Sequence, residues 1–265
     1  MKLPRVAFFL YVPVAAIILL CGMWYIAIPD SVISDLIENS LKDGNMSIQV
    51  THLKKGLFFN LSLERIELKK SGNALLSIEN ATGRINPLSL LMMRLTLYFS
   101  GNIGGGTING RMDLIKGKNH VGLDIRNAHL EEMPFFVLIG LDGKGVLSGG
   151  LSLDNGEGNT RLDIREMALK SGVFGGASVP LELFDSARGA FSISSGVLKV
   201  VSFTFEGRGI YARIKGLITS GATNLTMELM PDRTFTASNP LFYLLENYKV
   251  SPGFYSIPIN SNLPF

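Results

Sequence analysis

Cysteine is nearly absent from this chain: Cys21 is the only one among 265 residues. No intramolecular disulfide can therefore staple the fold, even in a compartment that would permit one. Histidine is scarce too. His52, His120 and His129 are the only three, and none has a partner at the spacing of a metal site such as His-x-x-x-His. Charge of one sign is also lacking. A formal net charge of +3 is too mild for a nucleic-acid binder, so no nucleic acid is expected as a partner.

Signatures of catalysis are missing as well. No Gly-x-Ser-x-Gly nucleophile elbow occurs. The stretch GNIGGGTING at 101–110 lacks the Lys-Ser/Thr ending of a phosphate loop, and the RMDLI after it alternates like a strand. DNGEGN at 154–159 has no terminal glutamate to complete a calcium loop. Glu131 and Glu132 are adjacent, but two acidic residues there most simply favour the first turn of a short helix. The chain reads as non-enzymatic, with no catalytic residue, metal or cofactor expected.

The longest absence is of charge itself. Between Arg5 and Asp30 there is none. Val6 to Ile28 makes 23 residues, and about 20 apolar residues span a bilayer as a helix. Val6, Phe8, Leu19, Trp24 and Ile28 represent this expected membrane anchor, with Trp24 and Tyr25 near its far end where aromatic rings favour headgroups. A cleaved export signal competes with this reading. It wants small residues at −3 and −1, and cleavage after Ala27 would put the bulky Tyr25 at −3. Lys2 and Arg5 precede the run, whereas Asp30, Asp35 and Glu38 follow it. Positive charge stays cytoplasmic. The expectation is a single-pass protein of a bacterial inner membrane, N-terminus inside and main domain periplasmic.

What is present beyond the run is mostly period-two alternation. DSVISDLIENSLKD at 30–43 reads as a short amphipathic helix. GLFFNLSLERIELKK places Leu57, Phe59, Leu61 and Leu63 on one face of a strand. The phase then slips to Ile66 and Leu68, as a β-bulge would make it. Val121, Leu123 and Ile125 share a face in NHVGLDIRN, as do Leu147, Leu151 and Leu153 in KGVLSGGLSLDNGEG. GLDIRNAHL at 122–130 and RLDIREMAL at 161–169 align without gaps and suggest stacked hairpins, with chance similarity as the competing explanation. Short helices are expected near 131–139 and near 240–247, the latter capped by Ser238 or Asn239 with Pro240 at its first position. The fold class is mainly β: a transmembrane helix, then an elongated, curved antiparallel sheet or groove of repeated hairpins with a few short helices. The expected division is 1–5 cytoplasmic, 6–28 transmembrane, 29–45 an amphipathic linker helix, 46–238 a periplasmic β-rich domain, and 239–265 a C-terminal helix with an extended tail.

This order of parts, and the tail NPLFYLLENYKVSPGFYSIPI at 239–259, resembles the type II secretion system protein N family. The β region is similar to the AsmA-like group of envelope proteins. The first resemblance implies a non-enzymatic scaffold or interaction subunit for protein secretion across the outer membrane, with other secretion-system or envelope proteins as partners. The second implies a lipid-handling or lipid-transfer module, with phospholipid or lipopolysaccharide as ligand. The ten apolar strand residues from Leu57 to Leu153 named above are the candidate groove. Periodicity alone cannot separate a groove from a filled core.

Overall fold

The computed structural model describes residues 18–19, 21–27, 29–39, 46–92, 94–115, 118–138, 142–170, 172–174, 177–219 and 222–261. Residues 21–27 are helical, and helix α1 (Asp30–Asn39) follows directly. The strands are β1 (Met46–Thr51), β2 (Lys54–Lys55), β3 (Asn60–Lys70), β4 (Asn73–Ile85), β5 (Arg94–Ile103), β6 (Gly106–Ile115), β7 (Lys118–His129), β8 (Gly143–Asp154) and β9 (Glu157–Leu169). They continue as β10 (Gly172–Phe174), β11 (Ala177–Val179), β12 (Ser186–Ser194), β13 (Val197–Gly207), β14 (Ile210–Ile218), β15 (Thr223–Pro231), β16 (Lys249–Ser251) and β17 (Phe254–Ser261). Helices α2 (Pro87–Leu91), α3 (Pro134–Leu138), α4 (Arg233–Ser238) and α5 (Leu241–Leu244) are short interruptions.

All strands except β10 and β11 belong to one large curved antiparallel sheet, laid down largely as a meander in chain order. Hairpin follows hairpin, so nearly every neighbour in space is a neighbour in sequence. The two LDIR stretches are the return strands of adjacent hairpins, β6–β7 and β8–β9.

Curvature has a local cause. In β4, β7 and β9 a residue in the left-handed region interrupts the strand: Asn80, Asn127 and Glu166, at φ of 49°, 53° and 52°. At each one the ladder slips, with two residues facing one on a neighbouring strand. Such bulges bend a strand and increase its twist. The residue facing each is small. Gly101 faces Asn80, and a Cβ there would lie 2.6 Å from Ile78. Ser148 faces Asn127 and accepts its N–H at 3.1 Å. The three segments, SIENA, DIRNA and DIREM, share one pattern: Ile, one residue, the left-handed residue, then buried Ala81, Ala128 or Met167. The two aligned LDIR copies thus carry a structural device, and a third copy lies in β4, where Leu76, Ile78, Asn80 and Ala81 match Leu123, Ile125, Asn127 and Ala128 while Ser77 and Glu79 replace the Asp and Arg of the motif.

The core lies on one face of this sheet. Across the ladder, Ala128, Leu147, Ile164, Ala187, Phe205, Ala212, Leu229 and Tyr255 form one unbroken row over β7–β9, β12–β15 and β17. Every residue of the row is buried. Three alanines, Ala128, Ala187 and Ala212, are interspersed among the large side chains of the row, which leaves room for covering segments to approach. Those covers are the turns after strands. Leu130 and Met133 come from the turn before α3, Leu181 and Phe184 from the turn before β12, and Phe242 from α5. Rings stack within the plug: Phe203 and Phe205 at 4.6 Å, Phe242 and Tyr255 at 5.2 Å.

Several expectations change here. Leu57 does not begin a strand. It sits in a 3-10 turn, Leu57–Phe59, where Phe58 and Phe59 both take positive φ, and β3 starts at Asn60. The slip from Leu63 to Ile66 is no bulge between β3 and β4. It is mirrored by Ala81 and Ile78 across an unbroken register, and the break falls between β4 and β5. The tail is no appendage: β17 pairs with β15 along Thr223–Leu229. Helix α4 has no counterpart in the sequence reading. Its cap is Asp232, whose Oδ1 accepts the Phe235 N–H at 2.6 Å. Asn239 closes that helix rather than opening the next, and Pro240 precedes α5.

Most of the expected membrane anchor lies outside the described residues, Val6, Phe8 and Ile28 included. Among the described residues no helix is long and apolar enough to cross a membrane. Leu19 is exposed, but Trp24, expected at headgroup level, is buried in a second core cluster with Ile33, Phe59, Leu61, Leu63 and Ala81. Its ring centroid lies 5.2 Å from that of Phe59, and its Nε1–H donates to the Gly56 carbonyl at 3.3 Å. Lys55 Nζ donates to the carbonyls of Trp24 at 3.1 Å and Tyr25 at 3.0 Å, satisfying acceptors at the end of the helical segment. Glu38 accepts the Val50 N–H at 2.9 Å and ties α1 to β1.

Candidate functional site

The apolar face has two halves. Its bulge-side half is the filled core described above. Two further rows run across the strands on the opposite side. Leu61, Gly83, Phe99, Gly110, Leu123 and Leu151 face one another in the first. Ile85, Leu97, Met112, Val121 and Leu153 do so in the second. From Leu97 and Phe99 to Leu151 and Leu153, these large side chains are only partly buried, and they belong to neither core cluster. The result is a trough with a plugged end and an open end.

The ten sequence-predicted groove residues divide between these environments. Leu147 is core. Phe59, Leu61 and Leu63 are buried under Trp24 and α1. Ile125 packs against the main cluster from its edge. Val121, Leu123, Leu151 and Leu153 line the open half. Leu57 lies in the turn before β3. Sequence reasoning missed Leu97, Phe99 and Met112, although RLTLYFSGNI alternates clearly enough to have revealed the first two.

The outer face is polar and its charges are largely matched. Arg126 Nε lies 2.6 Å from Asp124, and Arg188 Nε lies 3.4 Å from Asp163. These groups border a shallow depression of about 550 Å³ floored by Gly149, Gly150 and Gly189. His52, in the turn after β1, pairs with Glu64 of β3, and His120 pairs across strands with Asp154 at 2.6 Å, both contacts being exposed. Among the described residues no group of three or more His, Cys, Asp or Glu is placed to hold a metal. Asp113 is the most enclosed acid of this face. Thr96 Oγ1 donates to it at 2.6 Å, Arg111 Nε lies at 2.7 Å and Arg94 Nη2 at 3.2 Å. Burial pushes its pKa up, but those hydrogen bonds and the Arg111 charge outweigh burial and hold it below the ordinary carboxylate value. That cluster pins the polar side of β5 to β6, directly behind Leu97 and Met112.

Comparison with known proteins returns nothing: no protein-family model matches the chain, and no curated protein or solved structure is similar to it.

Proposed function

We propose that this protein is an anchored envelope component that holds the acyl chains of a lipid along the open half of its trough. The observation carrying this reading is that Val121, Leu123, Leu151 and Leu153 stay partly exposed on the apolar face while the adjoining row is sealed. Contiguous apolar surface left uncovered marks a binding site more often than a defect. Across the strands from Phe99 to Leu151 the open half covers three strand spacings of about 4.8 Å, roughly 14 Å, room for a stretch of acyl chain laid across β5–β8. Each methylene placed there gains about 0.8 kcal/mol. Phospholipid and lipopolysaccharide both supply such chains. The anchor would be the run at 6–28, uncleaved, with its N-terminus cytoplasmic and the sheet in the periplasm of a bacterium. Burial of Trp24 under Phe59 favours retention of that run, because cleavage after Ala27 would remove a core side chain.

Extraction of the full chain from membranes in mild detergent, followed by mass spectrometry of bound lipid, tests this reading. Lipid should co-purify in stoichiometric amount and be lost from Leu151→Asp. A folded parent protein carrying no lipid above the detergent control would sink it.

A second reading is an anchored subunit of type II secretion, binding other secretion-system or envelope proteins. Its specific support is an open edge: β16 pairs only with Phe254 and Tyr255, leaving the outer edge of β17 from Ser256 onward without a strand partner among the described residues. Such an edge can accept an added strand, although Pro258 limits which hydrogen bonds it offers. Cross-linking from position 256 in cells would reveal a protein partner if this reading holds.

A further inference from the structure

Beside the open half of the trough lies a patch of apolar surface that the fold does not use. Phe58 is 61 % exposed, Tyr25 56 % and Ile26 84 %. Phe58 and Tyr25 each adjoin a residue that is firmly buried. Phe59 and Trp24 are 5 % and 7 % exposed and pack on each other. Lys55 sits between the two segments, with its Nζ 5.8 Å from the Trp24 ring centre and 5.7 Å from that of Tyr25. It also lies 3.7 Å from Asp30. The helical end and the turn Leu57–Phe59 are therefore one clamped unit.

Phe58 is the least expected member. Its backbone sits at φ 58° and ψ 39°, a conformation natural to glycine or asparagine rather than to a bulky ring. Phe59 is strained in the same way at φ 62°, but its ring is repaid by burial. The Phe58 ring is turned out to solvent, so packing cannot account for it. Strain retained without a packing reason points to a surface role.

We propose that Phe58, Tyr25 and Ile26 form a foot that inserts into the headgroup–acyl boundary of a phospholipid bilayer. Continuity names the occupant: Tyr25 and Ile26 are at the far end of the uncharged run from Val6 to Ile28, Phe58 is in the turn clamped to that end, and aromatic side chains at such an end favour the membrane interface. Exposed Lys54, in β2 just before that turn, suits anionic headgroups. The foot also orients the sheet. Leu61 belongs to the clamped cluster and begins the row that passes through Phe99 to Leu123 and Leu151. Inserting the foot brings the open half of the trough, and not its plugged end, to the lipid surface. The proposal rests on the anchored reading above and adds where lipid enters.

The test uses the full chain with Cys21→Ser, carrying Phe58→Cys or, as a control at the plugged end, Arg208→Cys in the exposed β13–β14 turn. Both are labelled with an environment-sensitive fluorophore and reconstituted in vesicles of phosphatidylethanolamine and phosphatidylglycerol containing nitroxide lipids of shallow or deep label. Label at 58 should emit to the blue and be quenched several-fold more by shallow nitroxide than label at 208. Equal, water-like emission from both sites overturns the foot. Phe58→Trp in the otherwise native chain checks the result without a bulky dye: brominated lipid should quench the added tryptophan, and failure to quench it counts equally against the proposal. Bound lipid is assayed on the same preparations. An inserted foot with an empty trough refutes the lipid-holding function alone, whereas retained lipid with position 58 in water refutes the foot alone.

Discussion

Asn127 and Glu166 hold the same left-handed backbone, at φ of 53° and 52°, at matching points of β7 and β9. Arg165 Nη2 donates to Asn127 Oδ1 at 3.4 Å, so the two bulged strands are linked across the intervening β8. Asparagine tolerates this conformation, whereas glutamate pays more for it. Glu166→Asn should therefore stabilise the protein by about 0.5–1 kcal/mol, and Glu166→Val should destabilise it by about 1–2 kcal/mol. Urea unfolding followed by circular dichroism measures both. A valine variant as stable as the parent would mean that the bulge is not held in this conformation.

Leu147 and Leu151 lie four residues apart on the same face of β8, yet in different environments. Leu147→Asp puts an unpaired charge in the sealed row and should cost several kcal/mol, enough to unfold or aggregate the chain. Phe59→Asp should behave the same way, since Phe59 is buried under Trp24. Leu151→Asp should keep the native fold and melt within a few degrees of the parent while losing bound lipid. Thermal melts of the three variants separate a half-open trough from a uniformly filled core. Equal collapse of all three would indicate the filled core.

Asp113 is protonated less readily in the folded chain than in the unfolded one, because the bonds from Thr96 and the two arginines outweigh its burial. Its contribution to stability is therefore complete above the ordinary carboxylate pKa, and is lost as pH falls through the depressed folded value. Asp113→Asn should lower stability at neutral pH by about 1.5–3 kcal/mol, the scale of a charged hydrogen bond. The variant should also show a shallower loss of stability on acidification. Unfolding curves at pH 7, 5 and 3 read both effects. Parallel curves for parent and variant would contradict this account.

Trp24 is the only tryptophan in the chain, so its fluorescence reports on the junction between helix and sheet. Emission should be blue-shifted in the folded protein, and Trp24→Ala should cost about 3–5 kcal/mol. Intact mass of membrane-extracted protein should include residues 1–27. A mature N-terminus near Ile28 would rule out both the anchor and this packing.

Strand identity, face and approximate turns could be read from the chain because side chains alternate with period two, whatever the strand later packs against. Helix signals rather than alternation marked the short segments near 131–139 and 240–247, from which Met133 and Phe242 enter the core. Neighbour relations were legible too, since a meander pairs strands in the order in which they are written. Three things were decided only by tertiary structure. Leu147 and Leu151 are identical to a periodicity argument, but only the former lies beneath the turns that carry Leu130 and Leu181. Trp24 belongs to an apolar run that reads as membrane helix, and only the approach of Phe59 and Gly56 from a distant turn gives it a protein partner. Positive φ at Asn80, Asn127 and Glu166 bends the strands, yet only the register with Gly101, Ser148 and Gly145 reveals the slip. In each case the deciding contact joins residues far apart in sequence, and burial depends on what arrives from elsewhere in the chain, which no local pattern encodes.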